Sequence, residues 1–217
     1  MIFRLIRLAV PLLALLQLAH AGPTVRVLSE SLPAGVEELV MLADDKASEP
    51  FKPPTKYLSD EIEPPARAFE LRTSTDRRLV GRIALPEEGD RFILLLLSKP
   101  DGTLHGIVLR ADQPGFRPGD NYLFNRTGKS VVGYVGTTRF RLKPGAGRVV
   151  RPSGRADEGF HQVGFGVEED AGTRALSMTR WPVDSEVRSY VFFFNNPRTG
   201  RVDYRAVDEF IPAVKPE

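Results

Sequence analysis

The sequence contains no cysteine among its 217 residues, so no disulfide can stabilise the fold. It has only three histidines and one tryptophan. Histidine is the commonest metal ligand and a frequent general base, so its scarcity leaves few residue sets for metal or acid–base chemistry. Neither a Gly-x-Ser-x-Gly segment nor a complete phosphate-binding loop is present. The sequence therefore predicts a protein that is not an enzyme and has no cofactor and no metal.

The first 21 residues have the pattern of an export signal. Arg4 and Arg7 form a positive start, Leu8–Leu18 is an apolar core, and Ala19–Ala21 is a small-x-small cleavage site. The apolar run is shorter than the roughly 20 residues of a membrane-spanning helix. We therefore expect residues 1–21 to be removed, leaving a secreted or periplasmic protein with no transmembrane segment.

Charge is unevenly distributed along the expected mature chain. Removal of residues 1–21 takes away two arginines and leaves 28 basic and 28 acidic residues. The net charge is then zero, so no nucleic-acid partner is expected. Residues 22–90 carry a net charge of −5 and residues 91–217 a net charge of +5. The two parts can pair with one another, or they can present a polar surface to a partner.

Strand patterns dominate residues 22–217, and no long helix is indicated. Val36–Leu42 fits a strand or a short helix, and the proline-rich Ala47–Pro65 is a long connection. Many short strands between Gly/Pro turns predict an all-β, antiparallel β-sandwich resembling an immunoglobulin domain. An alternative divides the region into two sandwiches near residues 111–119. The predicted strands are Val25–Val27, Ala68–Thr73, Leu79–Leu85, Phe92–Leu97, Leu104–Arg110, Arg139–Lys143, Arg148–Arg151, Val163–Val167, Val187–Asn195 and Arg201–Val207.

Four turn signals accompany these strands. Lys99–Thr103 and Asn196–Gly200 contain proline and glycine between two strand patterns and predict hairpins. Pro144–Gly147 predicts a third hairpin, which would pair Arg139–Lys143 with Arg148–Arg151. Thr127–Lys129 is interpreted as a further hairpin turn.

Basic residues supply the first candidate surface. Residues 110–155 contain ten basic residues and two acids. Arg139, Arg141 and Lys143 alternate along one strand and share a face, while Arg148 and Arg151 belong to the expected partner strand. This ladder fits a polyanion, which would be an acidic polysaccharide, lipid head groups or nucleic acid. The favoured interpretation is a solvated face that balances the acidic first third.

Aromatic residues supply the second candidate surface. Tyr190, Phe192 and Phe194 share one face of a strand that is apolar on both sides, which predicts a buried central strand. If that face were exposed, Tyr190 would belong to a docking patch. Trp181 is interpreted as a core anchor, with a platform for a sugar ring as the alternative.

A catalytic or metal-binding interpretation has weaker support. His161 lies near Asp157 and Glu158, but their spacing matches no established metal site. Asp157 and Glu158 are adjacent and would point to opposite faces of a strand, so they are poor partners in hydrolysis. His161 is expected to be a half-buried histidine with its hydrogen bonds satisfied.

A resemblance to known proteins is carried by six segments, which are Phe116–Asp120, Asn125–Thr127, Leu142–Gly145, Ser189–Phe194, Thr199–Arg201 and Tyr204–Phe210. Together they resemble a group of uncharacterised secreted bacterial β-sandwich proteins. The resemblance implies export and no particular activity.

The export signal, the strand pattern and the missing catalytic motifs together predict an exported, non-enzymatic binding or structural module in the periplasm or at the cell surface. Its partner would be a cell-envelope polysaccharide or another envelope protein. Alternatives are a polyanion- or polysaccharide-binding protein that uses the basic strand face, and an extracellular hydrolase.

Overall fold

A computed structural model describes residues 22–211, in which the chain forms fifteen β-strands and no helix. The predicted export signal, residues 1–21, lies outside this range. No helix that could cross a membrane occurs within it. The first seven strands are β1 (Thr24–Ser29), β2 (Leu39–Ala43), β3 (Lys46–Ala47), β4 (Ala68–Thr73), β5 (Leu79–Ala84), β6 (Arg91–Ser98) and β7 (Leu104–Arg110). The other eight are β8 (Asn121–Asn125), β9 (Val131–Val135), β10 (Thr138–Leu142), β11 (Gly147–Val150), β12 (Phe160–Glu169), β13 (Gly172–Pro182), β14 (Val187–Asn195) and β15 (Val202–Phe210).

The strands form four sheets, two from each half of the chain. Strands β1–β7, the first unit, make sheet A with the order β1-β6-β7 and sheet B with the order β3-β2-β4-β5. Strands β8–β15, the second unit, make sheet C with the order β11-β8-β14-β15 and sheet D with the order β10-β9-β12-β13. Residues 111–120 connect the two units.

The two units share one topology. In each unit the first strand pairs in parallel with the penultimate strand, which pairs antiparallel with the last strand. The strands in between form the other sheet, and β11 is an addition found in the second unit. The expected antiparallel pairing is confirmed for the other strand pairs, but it is wrong for the pair β1 and β6 and for the pair β8 and β14, which are parallel. Parallel partners are distant in sequence, so local alternation does not reveal their direction.

Three hydrophobic clusters fill the spaces between sheets. One contains Leu94 of sheet A and Leu71 of sheet B, and another contains Phe193 of sheet C and Phe165 of sheet D. The middle cluster joins the units, with Leu95 of sheet A among its members and aromatic residues of β14 on the other side. Sheets A and C are therefore buried on both faces. This confirms the prediction that Phe92–Leu97 is buried on both sides.

A buried carboxylate also links the units beside the middle cluster. Glu209 of β15 accepts hydrogen bonds from Arg188 Nε at 2.7 Å and from the Tyr190 hydroxyl at 2.6 Å. From the first unit, Arg26 and Arg91 donate to the same carboxylate at 3.2 and 3.4 Å. Burial raises the pKa of Glu209, but the bonds from Arg188 and Tyr190 outweigh it and hold the pKa below its usual value.

Two of the four predicted hairpins are confirmed. Lys99–Thr103 joins β6 to β7, with Gly102 at a φ of +78°, and Asn196–Gly200 joins β14 to β15. Pro144–Gly147 and Thr127–Lys129 are wrongly predicted as hairpins. They connect β10 to β11 and β8 to β9, pairs of strands that lie in different sheets. A Pro-Gly turn redirects the chain equally well within a sheet or between two sheets.

Candidate functional site

A cavity of about 410 Å³ lies at one end of the second unit, between sheets C and D. Its wall is built from loops and strand ends of both sheets. The apolar part of the wall includes Trp181. The polar part is formed by Asp120, Asn121, Arg151, His161, Asp184, Ser185, Ser189 and Asp208.

Trp181 and His161 form the wall contributed by sheet D. They lie directly opposite one another on β13 and β12. The indole ring packs edge-to-face on Phe165 at a centroid distance of 5.6 Å, which anchors it to the core while it borders the cavity. Trp181 is therefore both a core anchor and a cavity residue. The packing agrees with the interpretation of Trp181 as a core anchor, and the alternative of a platform for a sugar ring stays a prediction.

His161 is half-buried, but its hydrogen bonds are not all satisfied. Its Nδ1 is buried and has no hydrogen-bond partner among residues 22–211. Beside it, Gly136 has a φ of +62°, and a Cβ there would lie 3.2 Å from Nδ1 and would collide with the Ser153 carbonyl. Glycine at position 136 is thus required both by the backbone and by the packing.

Arg151 and Asp120 form a paired charge at the cavity wall. The Nε and Nη2 groups of Arg151 each donate to one Asp120 oxygen at 2.7 Å. The Asp120 side chain is fully buried, whereas the Arg151 side chain is 63% exposed. Burial raises the pKa of Asp120, but the hydrogen bonds from Arg151 outweigh it and lower the pKa overall. The positive charge of Arg151 is thus already balanced within the protein.

Ser189 and Asp208 form the wall contributed by sheet C. They are cross-strand partners on β14 and β15, and the Ser189 hydroxyl donates to Asp208 Oδ1 at 2.6 Å. At the rim, Asp184 Oδ1 accepts the backbone N–H of Glu186 at 2.8 Å. Within residues 22–211, neither Asp184 nor Asp208 takes part in an ion pair.

The repeated topology explains why the cavity exists. Pro100 and Pro197 occupy matching positions in the β6–β7 and β14–β15 turns. Eight residues before each proline stands Phe92 in the first unit and Ser189 in the second. Phe92 is 1% exposed and fills the end of its core. Serine is far smaller than phenylalanine, so the second unit has open space at the matching position.

Neighbouring positions support this correspondence. Phe92 pairs with Val25 of β1, and Ser189 pairs with Asn121 of β8. Val25 belongs to the core of the first unit, whereas Asn121 lines the cavity. The residues that precede Phe92 and Ser189 are Arg91 and Arg188, and both bind Glu209. An apolar end in the first unit thus corresponds to a polar one in the second.

The structure separates the predicted basic residues into three groups. Arg139 and Arg141 lie on β10, with Lys143 just after it, and all three are exposed. Arg141 donates to Glu168 at 2.6 Å. Arg148 lies on β11, which pairs with β8 in sheet C rather than with β10. Arg151 follows β11 and is held by a buried carboxylate. The prediction of a single ladder on paired strands is wrong because the two strands belong to different sheets.

Tyr190 cannot contribute to a surface site. Its side chain is fully buried in the middle cluster with Phe192 and Phe194, and its hydroxyl is bound to Glu209. Burial and this hydrogen bond raise the pKa of Tyr190 far above its usual value. Of the predicted site residues, Trp181 and Arg151 line the cavity. Sequence reasoning missed Asn121, Ser189 and Asp208 because single small polar residues on strands are common.

The acidic residues near His161 do not assemble into a metal site. Glu158 lies 3.9 Å from Arg180, and Asp157 is paired through its backbone with Phe160. Among residues 22–211, no group of three or more histidine, aspartate or glutamate side chains is arranged to hold a metal ion.

Comparisons with known proteins assign no family to the chain. No family model matches the sequence, and no match is found among curated proteins. The chemistry of the cavity is therefore the basis for proposing a function.

Proposed function

We propose that this protein is an exported, non-enzymatic β-sandwich module that binds a saccharide of the bacterial cell envelope. The ligand occupies the cavity at the end of the second unit. Each unit is a sandwich of the general immunoglobulin kind, with two sheets packed on a shared core. The observation that carries the proposal is the polar cavity at Ser189, which matches a position that Phe92 fills in the first unit.

The size and lining of the cavity support a saccharide ligand. Its volume of about 410 Å³ falls within the range of small-molecule sites. A sugar ring has an apolar face of C–H groups and a rim of hydroxyls. The Trp181 indole offers an apolar surface for that face. Asp208 accepts hydrogen bonds from hydroxyls, and the Asn121 amide and the Arg151 guanidinium donate them.

The hydrogen bonds made by the polar groups of the cavity wall support binding without catalysis. The Ser189 hydroxyl donates to Asp208, with no histidine bonded to it among the described residues. A serine nucleophile needs an adjacent base that is itself oriented by a third group. Asp120 is held ionised by Arg151, so it does not serve as a general acid.

The export part of the proposal is supported by residues 1–21 and by the resemblance to secreted bacterial proteins. A positive start, an apolar core and a small-x-small site together indicate cleavage before Gly22. A protein released in this way would meet envelope polysaccharides in the periplasm or at the cell surface.

Fluorescence provides a direct test, because Trp181 is the single tryptophan of the chain. We expect envelope oligosaccharides to change its emission saturably in the native protein and not in Ser189→Phe, whose ring would fill the cavity. Ser189→Ala, which leaves the cavity open, is the matched control and should still bind. If no envelope oligosaccharide changes the emission of the native protein, the proposal is wrong.

A further inference from the structure

The cavity carries an excess of negative charge. Its described wall contains three carboxylates, Asp120, Asp184 and Asp208, and one guanidinium, that of Arg151. Arg151 is neutralised by Asp120, with which it makes two hydrogen bonds. The charges of Asp184 and Asp208 are not compensated by any ion pair within the described part of the chain.

Both uncompensated carboxylates retain free acceptor capacity. Asp208 Oδ1 accepts the Ser189 hydroxyl, and Asp184 Oδ1 accepts the Glu186 N–H. Among residues 22–211, the Oδ2 atoms of these two aspartates accept no hydrogen bond. Both aspartates are exposed, so a ligand can reach them, and carboxylate oxygens are strong acceptors for an ammonium donor.

We infer that the cavity selects a saccharide that carries a protonated amine, that is, an amino sugar without an N-acetyl group. This inference rests on the proposed function. The ammonium group donates to Asp208 or Asp184, and the indole face of Trp181 adds attraction for a cation. A carboxylated sugar is disfavoured by the same charges, and a neutral sugar gains nothing from them.

The test compares two oligosaccharides of equal length, one of glucosamine and one of N-acetylglucosamine. Trp181 fluorescence titration in mildly acidic buffer measures both affinities. We expect the glucosamine oligomer to bind the native protein at least about tenfold more tightly. The double variant Asp184→Asn/Asp208→Asn removes two charges with little change of shape and should lose this preference.

A matched control is available on the same strand. Asp203 lies at the other end of β15 and contacts Asn196. Asp203→Asn removes one carboxylate and should keep the preference, and thermal unfolding verifies that each variant is folded. Equal binding of the two oligomers overturns the inference but leaves the proposed function standing. A preference that persists in the double variant also overturns it. If neither oligomer nor any other envelope saccharide binds, the proposed function itself fails.

Discussion

Ser189 occupies the position in the second unit that Phe92 occupies in the first. Both residues lie eight positions before the proline of the following hairpin, and both follow an arginine that binds Glu209. Phe92 closes the end of one core, whereas Ser189 leaves a polar cavity at the end of the other. The two units therefore share a topology, apart from β11, but differ at this end of the core: the first is filled and the second is open.

Two single substitutions, Phe92→Ser and Ser189→Phe, should change the free energy of unfolding by different amounts. Phe92→Ser removes a buried ring from a filled core and should lower the free energy of unfolding by about 3–5 kcal/mol. Ser189→Phe enters open space, so we expect a change of no more than about 1 kcal/mol, because ring burial offsets the desolvation of nearby polar groups. Urea unfolding measures both. A loss in Ser189→Phe as large as that in Phe92→Ser would contradict the assignment of the cavity.

The ion pairs and hydrogen bonds of Glu209 should make the free energy of unfolding depend on pH in the acidic range. The folded-state pKa of Glu209 lies below its unfolded value, so its contribution is complete above the ordinary glutamate pKa of about 4.3. That contribution is lost as pH falls through the folded-state pKa. Glu209→Gln should lower the free energy of unfolding by about 3–5 kcal/mol near neutral pH, since it leaves the buried Arg188 guanidinium without its carboxylate partner.

Urea unfolding across the acidic range measures this effect. Glu209→Gln should show a flatter decline with acid than the native protein, and the exposed Glu87→Gln should behave like the native protein. A decline of equal steepness in Glu209→Gln and the native protein would mean that another group controls acid stability.

The Asp120–Arg151 pair should show strong coupling. Arg151→Ala leaves a fully buried carboxylate without its guanidinium, and we expect a loss of about 1–3 kcal/mol in the free energy of unfolding. Asp120→Asn combined with Arg151→Ala should lose less than the sum of the two single changes. A double-mutant cycle by chemical denaturation checks this, and strictly additive losses would show that the pair is not coupled.

The basic strand should contribute little to polyanion binding. The basic residues lie in two different sheets. Sheet D holds β10 with Arg139 and Arg141, followed by Lys143, whereas sheet C holds β11 with Arg148, followed by Arg151. Arg141 is also paired with Glu168. We expect Arg139→Ala/Lys143→Ala to elute from heparin at nearly the same salt concentration as the native protein. A large fall in retention would favour the polyanion-binding alternative.

Export predicts a defined new N-terminus. When residues 1–217 are expressed in a bacterium, the mature protein should begin at Gly22 if the export hypothesis holds, because Ala19–Ala21 has the small-x-small pattern of a cleavage site. N-terminal sequencing of the periplasmic or secreted fraction tests this. Ala21→Tyr should block cleavage and leave the precursor associated with the membrane. A cytoplasmic protein that retains Met1 would refute the export hypothesis.

Strand positions could be predicted from sequence more reliably than strand partners. The bounds of β4, β7 and β14 agree with their predicted ranges, because apolar alternation and turn residues are local signals. Pairing depends on residues that are far apart in sequence. The predicted Pro144–Gly147 hairpin therefore failed, although both of its flanking strands exist. The ambiguous Val36–Leu42 became strand β2, Leu39–Ala43, because Leu39 and Met41 contribute to a core between two sheets.

The candidate site was only partly predictable. Trp181 was identifiable as the single tryptophan, and Arg151 was identifiable as part of a basic stretch. The polar wall formed by Asn121, Ser189 and Asp208 has no local signature. A sequence alignment of the two proline-containing hairpins would have matched Ser189 with Phe92. This match was the sequence signal that pointed to open space at Ser189. The predicted burial of Tyr190, Phe192 and Phe194 is confirmed, and the alternative of an exposed docking patch at Tyr190 is wrong because sheet A covers that face.

The central claim is that the cavity of the second unit holds the ligand, and titration of Trp181 emission tests it most directly. A glucosamine oligomer should produce a saturable change in the native protein and in Ser189→Ala, and no change in Ser189→Phe. Saturable binding of equal affinity in Ser189→Phe would contradict the claim, because the ligand would then bind elsewhere on the protein.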